Sequence, residues 1–285
     1  MIIWLASYPK SGNTWVRFFI LSLLLGNKGE INLDHLKNIE QFPSKSQFEN
    51  LGINLKNLKD LREISKNWIN VQTKINSSKK IRFYKTHNTL CKIDNNSFTD
   101  ESNTVGTIYI VRDPRNVITS VKNHFNYKTH QEAKEFMFDE KRVILLSKSM
   151  GKEDHPLPQI IGSWQTHYKN WKIAKKNYLL VKYENLVNEP YSEFKKISNY
   201  LERITKTKFT DAQIEKAINS SSFDKLQKME ESKGFIESVE NKKTGEKNKF
   251  FYLGPKNNWE KILDKELADE INSKFRPEMK ELGYL

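Results

Sequence analysis

The apolar run at residues 2–6 (Ile-Ile-Trp-Leu-Ala) most constrains this chain, because it passes directly into a loop and then a helix. Five apolar residues in succession predict a buried strand. Residues 7–12 form the loop, and residues 13–25 carry apolar side chains at helical spacing, ending near Gly26. A strand-to-helix turn containing Lys10, Ser11, Gly12, Asn13 and Thr14 is a recipe for an anion site. The first helical N–H groups lack backbone partners and point at the ligand, and the helix dipole favours negative charge there. Gly12 lets the backbone approach an oxygen closely, Ser11, Asn13 and Thr14 add neutral donors, and Lys10 adds a mobile charge. A triphosphate loop needs two glycines with Lys directly before Ser or Thr; here one glycine follows both Lys10 and Ser11.

Further strands are expected at residues 81–85, 106–111 and 178–183, each rich in β-branched or aromatic residues. Residues 31–78 read as two or three helices, and Pro114 opens a helix over residues 116–125. Helices are also expected at 160–176, 191–201, 211–217 and 223–229, with a final helical pair at 259–282. Residues 126–158 read as a loop with a helix inside it, and the charge-rich residues 230–249 as a flexible loop. Strands alternating with helices imply an α/β fold, a central parallel β-sheet flanked by helices, in one domain over residues 1–285.

Composition narrows the class. Hydrophobic residues make up 37% of the 285 and aromatics 12%, enough for a core. No apolar run reaches the ~20 residues of a membrane helix, and the N-terminus has no leader pattern, so a cytoplasmic protein without an integral membrane segment is expected. A single cysteine, Cys91, excludes an internal disulfide framework and a cysteine-rich metal site. The net charge of +13 suits a polyanionic ligand such as a nucleotide. The lysines are dispersed rather than clustered on one face with aromatics, which argues against a nucleic-acid partner.

The loop Tyr8-Pro9-Lys10-Ser11-Gly12-Asn13-Thr14-Trp15 resembles the 5′-phosphosulfate loop of the sulfotransferases that use 3′-phosphoadenylyl sulfate (PAPS), most closely the cytosolic type. Three further segments keep the family's order: Lys85-Thr86-His87, Arg112 followed by Ser120, and Val181-Lys182-Tyr183-Glu184. The resemblance runs from Ile2 to about Trp259 and implies the P-loop-like nucleotide-binding sulfotransferase fold. It also implies in-line transfer of a sulfonate from PAPS to an acceptor hydroxyl without metal, leaving adenosine 3′,5′-bisphosphate (PAP). The acceptor would be a small molecule, a glycan or a lipid head group.

In that resemblance His87 is the general base, a role that suits imidazole because its ordinary pKa lies near working pH. Lys10 neutralises the departing phosphate, and Lys85 faces the sulfonyl oxygens. Ser11, Gly12, Asn13 and Thr14 cradle the 5′ end, while Arg112 and Ser120 hold the 3′-phosphate. Trp15, Tyr183 and Phe223 form the adenine site, with the Ser222 hydroxyl facing the nucleotide. Individually, a lysine is more often a solvated surface group and an aromatic more often core. Only their common order along the chain gives these residues their roles.

The resemblance departs at residues 250–259, where the family's Arg-Lys-Gly is replaced by Tyr252-Leu253-Gly254. Gly254 is kept, and Lys256, Lys247 and Lys249 are the nearest basic substitutes. The dimerisation pattern found after Trp259 in many cytosolic members is missing, so oligomeric state stays open. Competing readings are an ATP-dependent phosphoryl transferase, a basic nucleic-acid binder, and a sulfotransferase-like protein that binds nucleotide without turnover.

Overall fold

A computed structural model describes all residues except 27–28, 55–56, 58, 146–156, 175 and 242–244. Its centre is a four-stranded parallel sheet of β1 (Ile2–Ser7), β2 (Arg82–Thr86), β3 (Thr104–Val111) and β4 (Tyr178–Lys182). The spatial order is β2-β1-β3-β4, so the first strand lies inside the sheet. Every residue of β1 is buried, as its unbroken apolar sequence requires of a strand covered on both faces.

Alternation of side chains across the pleat divides the core in two. Ile2, Trp4 and Ala6 face one layer with Phe42, Trp68, Phe98 and Trp171, whereas Ile3 and Leu5 face the other with Phe19, Ile108, Ile110 and Phe194. The second layer is capped by α1 (Asn13–Leu25). Helix α2 (Pro114–His124) begins after β3, and α3 (Trp164–Lys172) packs on the Trp4 side. Past β4 the chain forms α4 (Tyr183–Asn188), α5 (Pro190–Thr205), α6 (Asp211–Ser220) and α7 (Phe223–Lys233).

Parallel register fixes where the strands end. Ala6 pairs with Thr86 and with Tyr109, and Val111 pairs with Lys182. The carboxyl ends of the four strands therefore deliver Tyr8–Gly12, His87, Arg112 and Tyr183 to one edge, the usual ligand edge of an open α/β sheet.

Several expectations change in detail. Residues 31–78 form a 3₁₀ turn (Leu33–Asn38) and three short helices (Lys45–Glu49, Leu61–Ser65, Trp68–Asn76). Pro43 precedes the first of these helices, and Asp60 caps the second through the amides of Arg62 and Glu63. The strand expected at 178–183 stops at Lys182, and Tyr183 opens a helix. The helix expected at 160–176 begins only at Trp164, after Gly162 with positive φ and the capping Ser163. The helix inside 126–158 is His130–Phe138, capped by Thr129; residues 146–156 lie outside the described residues. Residues 230–233 extend α7, and the rest of the charged segment carries a bridge between Glu240 and Lys247. The closing pair is three helices, Trp259–Ile262, Lys265–Lys274 and Arg276–Glu281. Among the described residues no helix is long and apolar enough to cross a membrane.

Candidate active site

The loop after β1 turns through two left-handed residues, Lys10 (φ 68°) and Gly12 (φ 103°). A Cβ at Gly12 would stand 2.6 Å from Tyr183 Cδ2, so close packing as well as φ reserves the position for glycine. Ser11 is fully buried beneath the loop, and its Oγ has no hydrogen-bond partner. Asn13 turns inward, donating Nδ2 to Leu5 O (2.9 Å) and Ser7 Oγ (3.2 Å). It braces the loop against β1, leaving the anion-facing donors to its neighbours. Trp15 meets Tyr183 edge-on at 5.7 Å, with its Nε1 buried and unpartnered.

At the end of β2, His87 is 8% exposed and its Nδ1 lies 2.7 Å from Ser7 O. A carbonyl can only accept, so Nδ1 carries the proton and Nε2 presents its lone pair. The backbone is held equally well. Gln159 Oε1 accepts from His87 N (2.7 Å), and His167 Nε2 donates to His87 O (3.1 Å). Tyr109 OH completes the chain by donating to His167 Nδ1 (2.8 Å). Burial, reinforced by Lys85, holds the His87 pKa well below its ordinary value, so the ring is neutral and able to accept a proton.

Two lysines flank this histidine. Burial lowers Lys10 to about 7, with Lys85 and Arg112 pushing the same way, and its Nζ lies 3.5 Å from the centroid of the Phe250 ring. Burial also lowers Lys85 to about 8, although Nζ donates to Glu237 Oε2 at 3.1 Å. Glu237 is the residue that sequence reasoning missed. Its carboxylate also accepts from Arg17 Nη1 (2.7 Å) and Thr14 Oγ1 (3.3 Å). Burial opposes its ionisation, but Arg17 and Lys85 together hold it well below the usual carboxylate range. The available signal was the apolar island Phe235-Ile236 and Val239 within the charged segment, which marks a return to the core.

On the other side, the Arg112 guanidinium stacks on the Tyr183 ring at 4.0 Å. Its bonds are long: Nη1 reaches Lys10 O and Ser120 Oγ (both 3.4 Å), and Nη2 reaches Gly254 O (3.3 Å). Arg112 Nε is buried and unpartnered. Asp113, a conceivable rival partner, is instead bound by Arg115 at 2.6 Å, and Glu184 accepts from the Asp113 amide. Gly254 (φ 53°) packs so tightly that a Cβ would lie 2.2 Å from Phe223 Cε2. Asn257, also missed in the sequence, donates Nδ2 to Asn116 O (2.7 Å) and Ser120 Oγ (3.4 Å), with Oδ1 buried and unpartnered.

Lys10, Gly12, Asn13, Thr14, Trp15, Lys85, His87, Arg112, Ser120, Tyr183, Phe223 and Gly254 all line one cleft of about 1440 Å³. That exceeds the ~300–1,000 Å³ of an ordinary small-molecule pocket and gives room for two reactants. Ser11, Ser222 and Lys256 do not line it. Ser222 occupies the cap position of α7, and Lys256 is exposed. Lys249 pairs with Glu231 at the surface, while Tyr252 lines the cleft with its side chain half in solvent. Phe125, Tyr127 and His124 close the opposite wall.

A family model for the sulfotransferase domain matches residues 2–283, and the chain belongs to that family. Among characterised relatives, it is 23% identical to a flavonol 3-sulfotransferase of Flaveria bidentis over 276 residues, covering 95% of this chain and 79% of that one. It is likewise 23% identical to cytosolic sulfotransferase 10 of Arabidopsis thaliana over 283 residues, 98% and 78% of the two chains. Among solved structures, mouse sulfotransferase SULT7A1 complexed with PAP superposes with a TM-score of 0.60 at 18% identity, covering 98% of this chain and 84% of that one. Retinol dehydratase in complex with androsterone and PAP gives 0.61 at 17% identity, covering 98% and 80%. These likenesses establish the sulfotransferase fold.

Proposed function

We propose that this chain transfers the sulfonate of PAPS to the hydroxyl of a small organic acceptor, with His87 as general base. PAPS supplies an activated sulfonate and a phosphate leaving group. Buried polar atoms without partners at Trp15 Nε1 and Arg112 Nε, both on residues that line the cleft, suit a ligand rich in acceptors along this path. Lys10, Gly12 and Thr14 would bind its 5′ end, Arg112 and Ser120 its 3′-phosphate, and Trp15, Tyr183 and Phe223 its base. His87 Nε2 takes the acceptor proton as the acceptor oxygen bonds to sulfur and the sulfur–phosphate bridge breaks. Lys10 neutralises the phosphate oxygen that receives the electron pair, and Lys85 faces the sulfonyl oxygens.

The observation that carries this reading is the tautomer of His87, fixed by Ser7 O in the cleft that buried Lys85, half-buried Lys10 and the loop also line. Residues 1–285 are read as one domain, supported by two core layers sharing one sheet. A cytoplasmic setting is supported by the relatives named cytosolic. The aromatic wall of Phe125, Tyr127 and Phe250 favours an acceptor with a flat or apolar body. The test is incubation of the enzyme and PAPS with a metabolite extract, followed by mass spectrometry. A sulfated product and PAP are expected from wild type and not from His87→Ala. Equal product from both would overturn the assignment of the base.

A further inference from the structure

Glu237 holds three groups at the loop end of the cleft: Arg17 Nη1 at 2.7 Å, Lys85 Nζ at 3.1 Å and Thr14 Oγ1 at 3.3 Å. Its side chain is 8% exposed, and those of Arg17 and Lys85 are 3% and 7% exposed. The segment bearing it is moored by contacts that do not involve these cations. Phe235 stacks on Phe251 at 5.7 Å, and Ser238 Oγ donates to Glu230 Oε1 at 2.7 Å. Asn126 Nδ2 donates to Glu240 O at 3.2 Å, while Asn248 donates Nδ2 to Asn126 Oδ1 and its backbone amide to Val239 O. Lys10 and His87 both lie close enough to feel the Glu237 charge.

We propose that Glu237 is an internal competitor for the anionic end of the donor, seated on the Thr14 hydroxyl and the Lys85 ammonium that the phosphosulfate would take. This rests on the reading of the cleft as a PAPS site. Two anions sharing buried cations repel strongly where water is scarce, so donor binding and the Glu237 contacts exclude one another. The affinity of the donor is then reduced by the fraction of molecules in which Glu237 is seated. Return of the carboxylate after transfer would also help expel the product nucleotide, a step that limits turnover in many enzymes. A carboxylate that only props Lys85 in place would have the opposite effect on binding.

Calorimetric titration of wild type and Glu237→Gln with PAP and with adenosine 3′-phosphate, which lacks the 5′-phosphate, separates the cases. Tenfold or tighter PAP binding by Glu237→Gln, with adenosine 3′-phosphate unchanged and slower PAP release by stopped flow, is the expected result. Equal or weaker PAP binding overturns the proposal. If Glu237→Gln does not fold because Arg17 and Lys85 lose their counter-charge, the double variant Asn126→Ala/Asn248→Ala decides, since it loosens the segment without removing a charge. Tighter PAP binding there supports the competitor, and unchanged or weaker binding overturns it. A wild type that binds neither nucleotide overturns the PAPS reading, and this inference falls with it.

Discussion

The two ends of the cleft are built differently. At the loop end, His87 and Lys85 are buried at the end of β2, where His87 Nδ1 lies 2.7 Å from Ser7 O of β1 and Lys85 Nζ donates to Glu237 at 3.1 Å. At the Arg112 end, the bonds made by Arg112 are 3.3–3.4 Å, and part of the wall comes from residues 252–254, where the only regular structure is the 3₁₀ turn that starts at Gly254. A site placed by paired strands in the sheet interior is set before a ligand arrives. One assembled from a late segment has slack for a ligand to draw together. The difference teaches that the His87 corner is held by strand pairing while part of the wall beside Arg112 is not.

Substitutions at each end test the contrast. The largest effect is expected from His87→Ala, which should lower turnover by about 10²–10⁴-fold while PAP binding by calorimetry stays near wild type. A comparable loss of PAP binding would show that the loop end is not independent of its histidine. Gly12→Ala follows: a left-handed residue pressed on Tyr183 should cost about 1–3 kcal/mol of stability, read from a lowered denaturant midpoint. Arg112→Ala should weaken PAP by about 1.5–3 kcal/mol, roughly ten- to more than a hundredfold, and leave adenosine 5′-phosphate unaffected. Equal losses for both nucleotides would move Arg112 from the 3′-phosphate to the base.

Acidity sharpens the same comparison. Lys10 at about 7 and Lys85 at about 8 are lowered by burial, so both are protonated below pH 7 and both lose charge above pH 8. PAP binding at the loop end should therefore weaken as pH rises through 7 to 8, with the decline measured by titration at constant ionic strength. A flat profile from pH 6 to 9 would refute the lowered pKa of both amines. The smallest effect is expected at Lys256, exposed and outside the cleft: Lys256→Ala should change PAP affinity by less than about 0.5 kcal/mol.

Much of the loop end is legible in the amino-acid sequence alone. Residues 2–25 announce strand, loop and helix because each element is specified by its own neighbours, and α1 occupies the span its apolar spacing predicts. Arg112 and Ser120 are legible as a pair only through family order, since Arg112 precedes the helix that carries Ser120. Glu237 and Asn257 are not legible as site residues. The apolar island Phe235-Ile236 and Val239 marks a return to the core but not which partners the Glu237 carboxylate meets, and nothing local singles out Asn257 from Asn258 beside it. Asn13, by contrast, is legible as a site residue but not in its use, because its partners Leu5 O and Ser7 Oγ are set by the way the loop folds back.

By itself the sequence determined the four strands, most of the helices that follow them and the residue types of the loop, since backbone propensity and side-chain periodicity act over a few residues. Only the tertiary structure decided which tautomer His87 adopts, that Glu237 is buried on Arg17 and Lys85, and that Ser222 and Lys256 lie off the cleft wall. Those outcomes depend on groups about 80 to 220 positions apart, such as Ser7 with His87 and Arg17 with Glu237. Parallel pairing and burial bring them together, and no local pattern records that meeting.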